Sequence, residues 1–183
     1  PSLVLKDLGD EYQVTRTGVK PHACCRYNQG PIDCLLVVKQ NHDFQPIDVE
    51  EVKIGMLSGG MGLVAQPEEA KRNPTSVVDM QFSMPFAAAV ALTYGKASLD
   101  EYALGVPDRP EVRHIMDRVQ CVTDPELDAL YPRHFPTWAE VRTKDGRTMR
   151  SELTYPKGDP ENPVTWDEMR DKFNLLSAPV ISG

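Results

Sequence analysis

The chain has 183 residues and a mass of 20.4 kDa, a size typical of one domain. Hydrophobic residues make up 40% of it, and 20 basic against 27 acidic residues give a net charge of −7, which argues against binding to nucleic acids or anionic membranes. The sequence shows neither a run of about 18 apolar residues nor a secretory leader. We therefore expect a cytoplasmic protein with no nucleic-acid partner and no membrane partner.

The four cysteines predict free thiols. Cys24, Cys25, Cys34 and Cys121 are too few for a disulfide scaffold of this length, and two of them are adjacent. A reducing cytosol fits this usage. Because the sequence begins with Pro1, we also expect a fragment or a processed product.

The first third of the chain shows two strand patterns around a helix pattern. β-Branched and aromatic residues over 12–19 predict a strand that ends at Lys20. Pro31 suits a first helical turn, so we predict a helix over 30–41. Apolar and polar residues alternate over 52–56, which predicts a half-buried strand.

The middle of the chain is predicted to be two loops followed by helix. Glycines over 58–62 and charges with prolines over 66–75 indicate loops. The next stretch is predicted to be helical with a break near Pro85. Residues 86–94 are apolar nearly all round, which predicts a buried helix that Gly95 ends.

The last third mixes helices with a hairpin. We predict a helix from Pro110, a strand over 118–123 and a hairpin over 138–155 that turns at Asp145-Gly146. A capping box over 165–168 opens a final helix. Its inward residues are predicted to be Trp166, Met169, Phe173 and Leu176. Without a regular strand–helix–strand period, the pattern predicts a single α+β domain with an antiparallel sheet and helices packed on it.

One segment concentrates residues that carry chemistry: Lys20, Pro21, His22, Ala23, Cys24, Cys25, Arg26 and Tyr27. Lys20 and Arg26 near a helix N-terminus would suit a carboxylate or phosphate ligand. The alternative is that both cations are solvated surface residues beside small buried cysteines.

The same segment does not predict a metal site. His22, Cys24, Cys25 and Cys34 lack the Cys-x-x-Cys spacing of zinc sites. A Cys25–His22 nucleophilic pair would need a third, orienting group, and the sequence indicates none. Ser83 is better explained as a helix cap than as a nucleophile.

Three segments together resemble the MmgE/PrpD family. They are residues 20–27 (KPHACCRY), 79–87 (DMQFSMPFA) and 155–163 (YPKGDPENP), and the last is the most distinctive. The resemblance covers about residues 10–176. The family includes 2-methylcitrate dehydratases, cis-aconitate decarboxylases and an iminodisuccinate epimerase.

The resemblance implies a domain organisation and a class of reaction. Family members join an all-helical domain to a smaller α+β lid domain, and residues 1–183 resemble the lid alone. We therefore expect the helical domain to be absent from this chain and to be its partner. The implied function is lyase chemistry, dehydration first, on a small polycarboxylate as in propionate metabolism, with no cofactor. Epimerisation, decarboxylation or a non-catalytic binding domain are the alternatives.

The resemblance also implies site residues. Lys20 matches a family lysine that faces the active-site cleft, so we expect it to be catalytic, with Arg26 as a second cation. His22, Gln29 and Phe86 occupy substrate-facing family positions where Tyr, His and Tyr are usual. These departures predict a substrate other than 2-methylcitrate. The chain alone is expected to be inactive and to self-associate weakly through its uncovered apolar surface.

Overall fold

Four strands form one mixed sheet in the computed structural model, which describes residues 9, 10 and 12–181. They are β1 (Val49–Met56), β2 (Val119–Thr123), β3 (Thr137–Thr143) and β4 (Thr148–Leu153), in the order β2-β1-β3-β4. β1 pairs parallel to β2 and antiparallel to β3, and β3 pairs antiparallel to β4. The α+β class is confirmed.

Helices precede, separate and follow the strands. They are α1 (Arg26–Asn41), α2 (Ser58–Gly60), α3 (Glu68–Arg72), α4 (Val77–Gln81), α5 (Met84–Tyr94), α6 (Pro110–Met116), α7 (Pro125–Asp128) and α8 (Trp166–Ser177). A π-helical turn covers Met61–Ala65, and 3₁₀ turns cover Gln13–Arg16, Pro46–Asp48 and Leu99–Tyr102. No helix in the described ranges is long and apolar enough to cross a membrane.

The core is built around α5. Residues 84–92 of this helix are all buried, and it packs against α1 and α6. The Ser83 hydroxyl caps the helix by accepting the Phe86 N–H, and Gly95 ends it in the left-handed conformation at φ +69°. The buried helix, its cap and its terminator are therefore confirmed. α1 in turn lies against β3 and β4, so the two helices join the sheet in one core.

The sheet agrees with the sequence patterns. β1 contains the predicted strand over 52–56 and begins three residues earlier. β3 and β4 form the predicted hairpin, with Gly146 at φ +86° in its turn. The predicted break near Pro85 falls at residues 82–83 instead, because Pro85 lies in the first turn of α5, where a missing N–H costs nothing.

The N-terminal predictions need two corrections. The predicted strand over 12–19 is wrong: Gln13–Arg16 is a 3₁₀ turn with extended residues after it, and neither pairs with the sheet. α1 begins at Arg26, so Pro31 lies inside it and not at its start. The extra first turn is held by polar side chains, because the Asn28 amide donates to the Gln81 carbonyl at 3.3 Å and Gln29 binds the preceding loop.

Both predicted loops in the middle contain helix. Residues 58–65 form α2 and the π-helical turn, and α3 occupies part of 66–75. α3 carries Glu68 in its first turn and Arg72 in its last, which complements the helix dipole. This order of acidic and basic residues is typical of a helix, but the prolines on either side of it favoured the loop interpretation.

α8 begins as predicted but faces differently. The Thr165 hydroxyl accepts the Glu168 N–H at 3.2 Å, and the Thr165 N–H donates to the Glu168 carboxylate at 2.7 Å, which completes the capping box. The predicted inward face is wrong, because α8 has no buried residue: Trp166 is 86% exposed and Phe173 is 63% exposed. Amphipathic spacing shows which residues share a face, but not what covers that face.

Candidate functional site

An open cavity of about 600 Å³ lies where three chain segments meet. The first segment leads into α1, the second lies between α7 and β3, and the third follows β4. The lining residues are Arg16, Gly18, Val19, Lys20, Arg26, Pro132, Arg133, His134, Phe135, Tyr155, Asp159, Pro160 and Glu161.

Among the residues that the structure describes, the cavity lining has more cationic than anionic side chains. Its cationic lining residues are Arg16, Lys20, Arg26 and Arg133, and its carboxylates are Asp159 and Glu161. This local excess of cations contrasts with the chain's net charge of −7. A concave, cation-rich surface concentrates field lines and favours anionic ligands.

Arg26 is fixed at the cavity wall by two contacts. Its Nη2 donates to Asp159 Oδ2 at 2.6 Å, and its guanidinium carbon lies 4.4 Å from the centroid of the Phe135 ring. Asp159 is buried, so the ion pair is shielded from solvent on that side. Asp159 balances much of the positive charge of Arg26. The ion pair also joins two of the segments that line the cavity.

Lys20 and Arg133 are available to a ligand. Both side chains are exposed, and within residues 12–181 no carboxylate lies at ion-pair distance from either. The main chain at Lys20 is nevertheless anchored, because its carbonyl accepts a hydrogen bond from the Lys172 ammonium of α8. An ammonium and a guanidinium without a carboxylate partner are suited to bind carboxylates.

Close backbone contact holds the Lys20 segment against the segment after β4. The Val19 N–H donates to the Gly158 carbonyl at 2.8 Å. Gly158 adopts φ +93°, and a Cβ there would lie 1.8 Å from the Val19 carbonyl oxygen. Only glycine fits this position, so it sets how closely the two segments approach each other.

Asp33 of α1 also joins the Lys20 segment to the segment after β4. Its Oδ1 lies 2.9 Å from His22 Nε2, and its Oδ2 accepts the Lys157 N–H at 2.8 Å. Both His22 and Asp33 are largely buried. His22 therefore points towards α1, and it does not line the cavity.

Gln29 and Phe86 also lie away from the cavity. The buried Gln29 amide donates to the carbonyls of His22 and Cys24 at 3.1 Å each, and its oxygen accepts the His22 N–H at 3.1 Å. Phe86 is fully buried in α5, with its ring 5.3 Å from that of Tyr102. Of the five residues expected at the site, the structure places Lys20 and Arg26 on the cavity, with His22 and Gln29 supporting the loop behind it.

Three of the thiols are poorly suited to act as nucleophiles. Burial raises the pKa of Cys24, of Cys34 and of Cys121 to about 12 in each case. Such thiols remain protonated at neutral pH. Among the described residues no three His, Cys, Asp or Glu side chains are grouped as metal ligands would be.

Sequence reasoning missed the segment between α7 and β3. Arg133 and His134 lie on it, more than a hundred residues after Lys20, and Pro132 and Phe135 complete its share of the cavity. The ring of His134 packs at 66° to that of Tyr155, with 5.2 Å between centroids. The sequence spacing of His134 and Tyr155 does not predict that they lie side by side, because only the packing of α7, β3 and β4 brings them together.

Comparison with known proteins gives two matches. The model of the MmgE/PrpD C-terminal domain matches residues 22–183. The chain is 31% identical over 193 residues to the cis-aconitate decarboxylase-like protein oryM of Aspergillus oryzae. That alignment covers 99% of this chain and 38% of the relative, so the chain spans well under half of the relative's length.

Proposed function

Because the chain belongs to the MmgE/PrpD family, whose C-terminal domain it matches, we propose that it forms the lid side of an active site for lyase chemistry on a small polycarboxylate. The observation that carries this proposal is the cavity, which collects four cationic side chains in a chain of net charge −7. Its volume of about 600 Å³ is within the usual range for small-molecule sites.

Lys20 is proposed as the catalytic residue of the lid. Loss of CO₂ and removal of a proton beside a carboxylate both leave an electron pair on carbon that the carboxylate or a neighbouring carbonyl must share. An ammonium beside that carbon stabilises the charge more in the transition state, where it develops, than in the ground state. Arg133 is proposed to bind a second carboxylate of the substrate. Arg26 is proposed to hold the cavity wall in place through its ion pair with Asp159.

Decarboxylation of a cis-aconitate-like acid is the reaction to test first. The name of the Aspergillus relative supports this choice over dehydration or epimerisation. Neither Gln29 nor Phe86 lines the cavity, so the proposal does not rest on them.

The remaining wall of the cleft is proposed to come from a helical domain, on the same polypeptide or a separate one. The relative is longer than the part that aligns, and the exposed apolar residues of α8 offer a surface for such a domain. We propose that the group which exchanges a proton with the substrate lies there. It would be an acid that protonates the carbon left by loss of CO₂, or a base where a C–H proton is removed instead. The 183-residue chain by itself should bind polycarboxylates but should not turn over cis-aconitate.

Ligand binding by the purified chain tests the carboxylate site. Tricarballylate, a tricarboxylate with no hydroxyl group or double bond to react, should raise the melting temperature, since a ligand at 100 times its Kd stabilises by about 2.7 kcal/mol. Lys20→Ala should weaken binding about tenfold, a loss of about 1.4 kcal/mol. Lys144→Ala, at an exposed lysine in the hairpin turn, removes the same charge and should leave binding unchanged.

Two results would contradict the proposal. One is a folded chain whose melting temperature responds to no di- or tricarboxylate. The other is an equal loss of affinity in Lys20→Ala and Lys144→Ala, which would mean that binding depends on overall charge and not on the cavity.

A further inference from the structure

α8 contacts two of the cavity segments through polar side chains. Its Lys172 ammonium donates to the Lys20 carbonyl, on the segment that leads into α1. Glu168 precedes Lys172 by four residues and so lies on the same face of the helix. Its Oε2 is 3.0 Å from the Lys157 ammonium, on the segment that follows β4. One helix face is therefore connected both to the segment that carries Lys20 and to the segment beside it.

The Lys20 segment has few other restraints. Residues 12–18, which precede it, are all exposed, so no apolar burial fixes the chain there. Pro21 follows it and has no N–H, so the peptide between Lys20 and Pro21 can form hydrogen bonds only through the Lys20 carbonyl. The Lys172 ammonium is the donor that this carbonyl meets. The position of the Lys20 main chain therefore depends strongly on α8.

Empty space borders the same segment. A cavity of about 110 Å³ is lined by Val19, Pro21 and Lys172, together with other residues of α8 and its surroundings. A second cavity, of about 200 Å³, is also lined by Pro21 and Lys172. Val19 lines the cavity of the candidate site as well. Atoms that face empty space lose packing contacts, so packing alone resists displacement of this segment only weakly.

Resting on the proposed function, we propose that Lys172 is a positioning residue for Lys20. By holding the Lys20 carbonyl, it fixes the main chain from which the Lys20 ammonium reaches the bound polycarboxylate. Lys172 does not line the candidate-site cavity, so it acts through Lys20 and not on the ligand. A charged donor makes this hydrogen bond about twice as strong as one between neutral groups. A Lys20 segment that is already ordered loses less conformational entropy when the ligand binds.

The test titrates tricarballylate into the full chain by calorimetry. Lys172→Ala should weaken binding about fivefold. The melting temperature without ligand should change little, because α8 has no buried residue. Lys172→Arg keeps a charged donor and should bind like wild type. Arg170→Ala is the matched control and should also bind like wild type. It removes the same charge from the same helix, where Arg170 donates to Asp167 of α8 itself at 2.9 Å.

A double-mutant cycle distinguishes positioning from a general effect of charge or stability. In a Lys20→Ala background, Lys172→Ala should weaken binding by less than a further factor of about 1.5, because the side chain that Lys172 positions is gone. A long-range charge effect, or a purely structural role, would instead weaken binding by the same factor in both backgrounds.

The outcomes separate this inference from the proposed function. Wild-type affinity in Lys172→Ala, or a fivefold loss that persists in the Lys20→Ala background, overturns the role of Lys172 and leaves the carboxylate site standing. Wild-type affinity in Lys20→Ala, or no binding by folded wild type, overturns both proposals. If Lys172→Ala does not fold, Lys172→Met retains an aliphatic side chain beside Pro21 without the donor, and the same comparisons decide the question.

Discussion

The interior around α5 and the cavity are held together by different kinds of contact. The interior is apolar: residues 84–92 of α5 are buried against other helices and the sheet. The cavity is formed by loops joined through backbone hydrogen bonds, the Arg26–Asp159 ion pair and the carboxylate of Asp33. Apolar burial therefore stabilises the interior, whereas polar contacts hold the cavity. Substitutions around α5 should mainly lower stability, and substitutions at the cavity should mainly weaken ligand binding.

The largest effect on stability is expected for Leu92→Ala in α5. Leu92 is fully buried, so truncation leaves a cavity and should lower the free energy of unfolding by about 2–5 kcal/mol. Leu104→Ala, at a side chain that is 72% exposed, is the control and should change it by less than about 0.5 kcal/mol. Urea unfolding measures both. Equal losses would mean that α5 is not the centre of the core.

Gln29→Ala tests the contact between the two regions. It leaves the N–H and carbonyl of His22 and the carbonyl of Cys24 without their side-chain partner, which should cost about 1–3 kcal/mol. Because that loop carries Lys20, tricarballylate binding should weaken as well. Gln40→Ala, at an exposed position of α1, should alter neither quantity. Unchanged stability together with unchanged binding would show that the Gln29 hydrogen bonds do not hold the Lys20 loop in place.

Gly158→Ala should act mainly on the cavity. The added Cβ meets the Val19 carbonyl oxygen and must move the Lys20 segment, at a cost of about 1–3 kcal/mol and with weaker ligand binding. Gly105→Ala is the matched control, because Gly105 also has a positive φ, of +84°, but open space around its Cβ position. The loss of stability beyond that of Gly105→Ala measures the contact with Val19. Unchanged binding would show that the segment tolerates the displacement.

The smallest effect on stability is expected for Phe173→Ala in α8. Phe173 is 63% exposed, so the free energy of unfolding should change by less than about 0.5 kcal/mol. Self-association should fall if the apolar face of α8 mediates it, which analytical ultracentrifugation would detect. A loss above 2 kcal/mol would show that α8 packs against the core in solution.

The elements that were predicted correctly are specified by residues within or next to them. α5 combines an all-apolar run with a capping serine and a terminating glycine, and the β3–β4 hairpin has an Asp-Gly turn between alternating residues. The predictions failed where tertiary contact replaces local preference. Residues 13–16 look like a strand, yet within the described chain no sheet edge receives them. Pro31 looks like a helix start, yet the side chain of Gln29 supports an earlier first turn.

The sequence by itself determined the α+β class and the family, because apolar periodicity and short motifs are local properties of the chain. Only the tertiary structure decided which residues share the cavity. It placed Arg133 and His134 on the same cavity as Lys20, and it placed His22, Gln29 and Phe86 in supporting or core positions. A side chain's direction depends on the packing of elements distant in sequence, and that information lies in no single segment.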